Sequence, residues 1–306
     1  MPMSNNPNNL SELLPRKTVA IAGLGLLGGS LGLALRRTLP DLRVLGCARR
    51  SESIRQAVHL NAIHDGDTSP KTILPQADLT VVCMPVSATV EFVETHVAEW
   101  RPGSVVTDVG STKGALVEAC TRALTPHDVS FVGSHPMAGK ESAGLDHADT
   151  NLYQNATVFL CADNNLEGPA PESVRLLWEA VGAQTTAIDP HTHDALVART
   201  SHVLHLLAAA AVRQLPENPN AVRATAGAFR DVTRIAASSP AMWTDICRQN
   251  RSEVLSGMDE LIAMLCRYAH CIRQKNWDSL TKELEEARRC RLEWENTKTG
   301  GGRNDE

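Results

Sequence analysis

Residues Thr18 to Ala22 form a short apolar run that leads into Gly23-Leu24-Gly25-Leu26-Leu27-Gly28, and a helical stretch, Leu26 to Leu39, follows at once. Glycines spaced G-x-G-x-x-G at a strand-to-helix junction restrict the fold sharply. The first permits a tight turn, the second lets a pyrophosphate approach the backbone, and the third lets helix and strand pack closely. The helix start then offers unpaired N–H groups to the phosphates. A second strand, Leu42 to Cys47, follows in the order that a dinucleotide-binding unit requires. Gly23, Gly25, Leu26, Leu27 and Gly28 are therefore expected to contact the cofactor. A tight turn that binds nothing is the lesser alternative.

The tip of the second strand selects the cofactor. An acid there would bind the ribose 2′-hydroxyl of NAD. This chain has Arg49-Arg50-Ser51 instead. Guanidinium groups suit a 2′-phosphate, so NADP is preferred and NAD stays open. Ordinary solvated charges are the competing reading of both arginines.

Strands and helices go on alternating. Leu79 to Met84 is an apolar strand ending at Pro85, beside the expected nicotinamide-ribose half of the cofactor. A helix follows from Ser87 to Val97. Ser104 to Thr107 leads into Asp108-Val109-Gly110-Ser111-Thr112-Lys113, then a helix from Ala115 to Leu124. Val129 to Val132 leads into Gly133-Ser134-His135-Pro136-Met137-Ala138-Gly139. Such alternation gives a doubly wound parallel sheet with ligands at the strands' carboxyl ends, where Ser111 and His135 both fall. Histidine can exchange a proton near neutral pH. Lys113 reads as a surface lysine. Val158 to Cys161, a helix from Pro171 to Val181 and a strand from Gln184 to Ile188 complete a Rossmann-type domain over residues 17–189. Residues 1–16 are expected to be a disordered lead.

From Asp189 onward strand signals vanish. Asp189-Pro190 suits a helix N-cap followed by proline, and the helix is expected to run to about Leu215, largely buried. Within it Ser201, His202 and His205 stand among apolar neighbours. Pro216 begins a turn. Arg230 and Arg234 are four residues apart, so on a helix they point the same way, and either suits a carboxylate. A surface salt bridge with Asp231 or Asp245 is the alternative. One long helix is expected from Met242 to Ile272. In the last helix Trp277, Leu284 and Trp294 form a narrow apolar stripe that suits packing across a dimer. Residues 190–297 thus read as an all-α substrate and dimerisation domain, and 298–306 as a disordered tail.

With a net charge of −5 over 306 residues, no basic bias suggests a nucleic-acid or anionic-membrane partner. The 8 cysteines form no C-x-x-C pair. They read as reduced, mostly buried thiols of a cytoplasmic protein, with no metal site expected. No signal peptide or membrane span is expected.

The motifs together resemble the prephenate/arogenate (cyclohexadienyl) dehydrogenase family of tyrosine biosynthesis, from about Lys17 to Trp294. The resemblance rests on the glycine loop, Asp108 to Lys113, Gly133 to Gly139, Ser201-His202-Val203-Leu204-His205, and Gly227 to Arg234. Leu204 departs from it, since many members have proline there. The resemblance implies oxidative decarboxylation of prephenate or arogenate by hydride transfer to NAD(P). It implies His135 as acceptor of the 4-hydroxyl proton and Ser111 as its orienting neighbour near the nicotinamide. Arg234 would hold a substrate carboxylate, His205 would lie on the substrate's other side, and Glu141 and Asp231 could close the pocket. The apolar stripe of the helical half suggests a homodimer, and the resemblance suggests tyrosine as a feedback inhibitor without deciding between prephenate and arogenate. Two other readings compete. A different two-domain hydroxyacid dehydrogenase would be expected to carry a lysine on the long helix, where Ala195 to Val212 has none. A non-catalytic dinucleotide-sensing dimer would not need Ser111, His135, His205 and Arg234 together.

Overall fold

The computed structural model describes residues 9–140, 142–162, 166–215 and 217–300. Its first element, α1 (Asn9–Leu13), lies inside the stretch expected to be disordered. Leu10 and Leu14 explain the difference, because both are buried in the main core. Such burial contributes about 1.5–3 kcal/mol per side chain.

β1 (Thr18–Ala22) is buried throughout. Val19 and Ile21 enter one core while Ala20 and Ala22 enter the other, the period-two alternation of a strand covered on both faces. Around it run α2 (Leu26–Thr38), β2 (Arg43–Cys47), α3 (Ser51–His59), β3 (Asp65–Asp67), α4 (Pro70–Ile73), β4 (Leu79–Val82), α5 (Val86–His96), β5 (Val105–Asp108), α6 (Gly114–Leu124), β6 (Ser130–Pro136), β7 (Thr157–Cys161), α7 (Pro169–Ala180) and β8 (Gln184–Ala187). The 8 strands form one sheet in the order β3-β2-β1-β4-β5-β6-β7-β8. Leu31 of α2, Ile54 of α3 and Leu177 of α7 fill the first core. Val93 of α5 and Val117 of α6 fill the second. The sheet is thus doubly wound.

Two strands depart from the parallel plan, because β8 pairs parallel with β7 and both run against β1 to β6. β7 runs antiparallel to β6, pairing His135 with Phe159. Among its described residues the β6–β7 connection holds a short 3₁₀ turn at Leu145–His147 and no crossover helix, so the chain returns from the end at which β6 stops. β3, three residues long, pairs with β2. Its sequence, Asp65-Gly66-Asp67, carries no apolar signal.

Asp189 caps α8 (Pro190–Val197) as expected, its side chain accepting from Thr192 N. A π-helical turn, Ala198–His202, joins α8 to α9 (Val203–Arg213), so the expected single helix is wound more widely at its centre. By length and composition alone Pro190–Arg213 could cross a membrane. However, it holds His193, Asp194, His202 and His205 buried against neighbouring elements. Its second half is less buried than expected: in α9 Val203, His205 and Ala208 are buried, while Leu204 and Val212 are exposed. α10 (Pro219–Ala224), α11 (Gly227–Thr233) and α12 (Pro240–Gln249) follow. The helix expected over 242–272 is broken after α12, and α13 (Arg251–Arg273) starts afresh. The break falls at Asn250, whose backbone leaves the helix and whose side chain is buried with α8.

The chain divides into two compact units, Met1–Val254 and Leu255–Glu306. The first includes α8 to α12 along with the sheet. In the second, the remainder of α13 and α14 (Trp277–Gly300) are linked by Arg267 and Glu283 at 3.5 Å. Leu255, Ile262, Leu265, Trp277, Leu284 and Trp294 are exposed there. Cys266 and Cys290 are exposed as well, against the expectation that most thiols are buried.

Candidate active site

The glycine loop behaves as its spacing requires. Gly23 has φ +104°, and a Cβ on it would meet Cys83 O at 2.4 Å. A Cβ on Gly28 would meet Gly23 O at 2.0 Å, so helix and strand touch there. Nothing lies within 4 Å of the Cβ position at Gly25, where α2 begins. That open space and the free N–H groups of the first turn fit a pyrophosphate.

A trough of about 850 Å³ runs from Arg49, Arg50 and Ser53 past Gly23 and Gly25 to Pro85. A cavity of about 410 Å³ continues from Gly25, Leu26, Leu27 and Pro85 to Ser111. The trough's size, glycine floor and two guanidinium groups fit a dinucleotide. Ser51 does not line it. Its hydroxyl instead interacts with Glu52 and Arg55 at the start of α3, and Ser53 takes the place beside the arginines.

Ser111, His135 and Arg234 then line a third cavity of about 340 Å³, together with His202 and Trp243. Ser111, Ala138, Gly139 and Met242 border both this cavity and the preceding one. The imidazole and the guanidinium therefore share one cleft that opens toward the dinucleotide trough.

His135 is the penultimate residue of β6 and is buried. Its Nδ1 lies 2.8 Å from His193 Nε2, and His193 Nδ1 lies 2.8 Å from Asp194 Oδ1. Asp194 also accepts from Lys113 N at 2.7 Å and Gly114 N at 2.8 Å. Burial would raise its carboxyl, but hydrogen bonds from His193, Gly114 and Lys113 outweigh that and hold it below the ordinary range. An ionised Asp194 accepts only, so His193 must donate from Nδ1 and accept at Nε2. His135 then donates from Nδ1 and turns a lone pair on Nε2 to the cavity. Burial above all, and then the nearby Lys113 ammonium, hold the His135 imidazole well below its usual value. It stays neutral and able to accept a proton.

Several expected positions differ. The orienting hydrogen bond of His135 is donated to His193 Nε2 and not to Ser111, which stands at the junction of two cavities. Lys113 is no surface lysine: it is fully buried, with Nζ 2.5 Å from Asp108 Oδ2. Asp108 also accepts from Gly110 N and Ser134 N, tying the Ser111 loop to β6. His205 does not line the substrate cavity. It stacks flat on Trp243, with ring centroids 3.6 Å apart, while His202 takes the lining position. Asp231 is exposed and lines none of these cavities. Glu141 lies outside the described residues. His193 and Asp194 were missed because they stand in the first turns of a helix whose cap, not its chemistry, marked it in the sequence.

A doubly wound sheet whose glycine loop opens through a trough onto a neutral imidazole and a guanidinium defines a dinucleotide-dependent dehydrogenase. The comparisons with known proteins narrow this class. Residues 31–187 match the prephenate dehydrogenase nucleotide-binding domain, and residues 189–286 the prephenate dehydrogenase dimerization domain. A prephenate dehydrogenase of Bacillus subtilis is 32% identical over 89% of this chain and 75% of its own length. A cyclohexadienyl dehydrogenase of Zymomonas mobilis is 30% identical over 90% of this chain and 95% of its own. The crystal structure of prephenate dehydrogenase from A. aeolicus with hydroxyphenyl propionate and NAD+ superposes with a TM-score of 0.83. It is 31% identical, covering 90% of this chain and 97% of that one. The chain belongs to the prephenate dehydrogenase family and is an NAD(P)-dependent oxidoreductase.

Proposed function

We propose that the protein oxidatively decarboxylates prephenate, arogenate or both, with NADP as preferred hydride acceptor and NAD as a second one. One observation carries this reading: His135 and Arg234 border a single cleft that continues past Ser111 into the dinucleotide trough. The family and the named relatives support it.

His135 Nε2 accepts the 4-hydroxyl proton while the same carbon loses hydride. Bound NADP supplies the hydride acceptor. The imidazolium formed keeps its Nδ1–H on His193, and Asp194 fixes His193. Proton transfer of this kind is worth about 10²–10⁴-fold in rate. Arg234 holds a substrate carboxylate. Loss of the ring carboxylate as CO₂ returns its electron pair to the ring, and His135 gives its proton back to the oxygen as the ring becomes aromatic. Ser111, which borders both the substrate cavity and the cofactor cavity, would lie near the nicotinamide. Tyrosine, which has the product's aromatic ring and the amino-acid side chain of arogenate, inhibits by competing for the same cavity.

Arg49 and Arg50 support NADP, with no acid at the tip of β2. Exposed apolar side chains on α13 and α14 support a homodimer. Eight free cysteines support a reducing, cytoplasmic location. The hydroxyacid-dehydrogenase alternative lacks its lysine, since α8 and α9 carry none and Lys113 is engaged by Asp108.

The test is steady-state kinetics with prephenate and arogenate against NADP and NAD, following cofactor reduction. Turnover of at least one substrate is expected, with the higher kcat/KM on NADP. Cofactor binding without reduction by either substrate would leave the non-catalytic sensor as the better reading.

A further inference from the structure

His202 borders the substrate cavity yet has no part in the chemistry above. Its ring is 1% exposed, and Asn250, 3% exposed, lies behind it. Asn250 Nδ2 donates to the backbone oxygen of Asp194 at 2.8 Å and lies 3.3 Å from His202 Nδ1. A carbonyl oxygen can only accept, so the amide nitrogen, not its oxygen, faces both partners. Its two N–H bonds are thereby committed, and His202 Nδ1 must be an acceptor. The ring proton of neutral His202 is then on Nε2. His135 has the opposite arrangement, with its proton on Nδ1 and its lone pair on Nε2. One cavity is bordered by one imidazole that accepts and another that donates.

We propose that His202 is a substrate-binding residue that donates from Nε2–H to a carboxylate or carbonyl oxygen of the substrate, and that Asn250 is the positioning residue fixing this tautomer. The proposal rests on the dehydrogenase reading and adds a contact to it. The π turn makes the arrangement reachable. Asp194 and His202 are eight residues apart, which a straight α-helix would rotate by about 80°. The wider turn at Ala198–His202 reduces that offset, so one amide serves both. A neutral donor also suits the site. The substrate brings more acceptor oxygens than Arg234 alone can satisfy, and a second cation would oppose the proton that His135 takes up.

Long-range ¹H–¹⁵N NMR of the whole protein at neutral pH reads the two tautomers without any substrate. A proton on Nε2 of His202 and on Nδ1 of His135 is expected, and a His202 protonated on Nδ1 overturns the proposal. Kinetics then test the contact. His202→Asn, whose amide reaches only the Nδ1 position, is expected to raise substrate KM about tenfold, with cofactor KM unchanged. His202→Gln, whose amide nitrogen can stand where Nε2 stands, is expected to recover most of that loss. Asn250→Asp accepts from Nδ1–H, reverses the tautomer and should raise substrate KM as His202→Asn does. Unchanged KM in His202→Asn, or equal impairment in the Asn and Gln variants, refutes the contact. Failure of the unmodified protein to turn over prephenate or arogenate would remove the substrate reading instead, while the NMR result still decides the tautomer.

Discussion

His193 Nε2 lies 2.8 Å from His135 Nδ1, and this contact decides which nitrogen of His135 meets the substrate. His135→Asn is expected to lower kcat by about 10²–10⁴-fold with substrate KM nearly kept. His193→Phe removes the acceptor for Nδ1–H and should lower kcat by a smaller factor, again without weakening substrate binding. Arg234→Gln acts in the other parameter, raising KM while kcat changes less. Normal turnover by His135→Asn in initial-rate measurements would end the mechanistic assignment.

Lys113 and Asp108 form a fully buried ion pair at 2.5 Å. Removing one partner leaves a charge in the interior, which costs about 3–5 kcal/mol. Lys113→Met is therefore expected to lower the urea midpoint sharply, because Asp108 also anchors Gly110 N and Ser134 N. Adding Asp108→Asn removes the stranded charge and should restore part of the loss. A midpoint unchanged in Lys113→Met would show that the pair contributes nothing to stability.

The cofactor half was legible because its signals are local. A glycine loop, an apolar strand and a helix start are read within a few residues, and β1, α2 and β2 lie where the pattern puts them. The substrate half depends on partners far apart in sequence. Lys113 resembles any lysine until Asp108 is placed beside it. His193 and Asp194 gain a role only through β6, 58 residues away in the chain for the His135–His193 pair. The family resemblance points to His205 rather than His202. Which of the two enters the cavity is set by the winding of the π turn, and three-residue spacing does not reveal it. The break at Asn250 was equally hidden, since the apolar period runs on across it.

Arg49 and Arg50 border the trough at the tip of β2 and are exposed. A charge-assisted hydrogen bond to a 2′-phosphate is worth about 1.5–3 kcal/mol. Arg50→Ala is accordingly expected to raise the KM for NADP by about 10–100-fold, with little change for NAD. An equal shift for both cofactors would mean that Arg50 does not read the 2′-position.

Burial lowers the His202 imidazole from 6.5 to about 4, and the His135 imidazole moves in the same direction. Between those two pH values the unfolded chain binds a proton at His202 that the folded chain does not. Stability therefore rises with pH across this window. The contribution is fully present above 6.5 and is gone once the pH has fallen through about 4; for His202 alone it is roughly 3 kcal/mol. Asp194 acts in a lower window. Its folded carboxyl is held below the ordinary aspartate value of 3.8, so its contribution persists above that value and is lost only in stronger acid. Urea denaturation at steps from neutral pH down to 4 should show stability falling before the carboxylates protonate. His202→Gln, which cannot titrate, should flatten part of that slope. A flat profile in the unmodified protein between 6.5 and about 4 would mean that both histidines keep ordinary proton affinities in the fold.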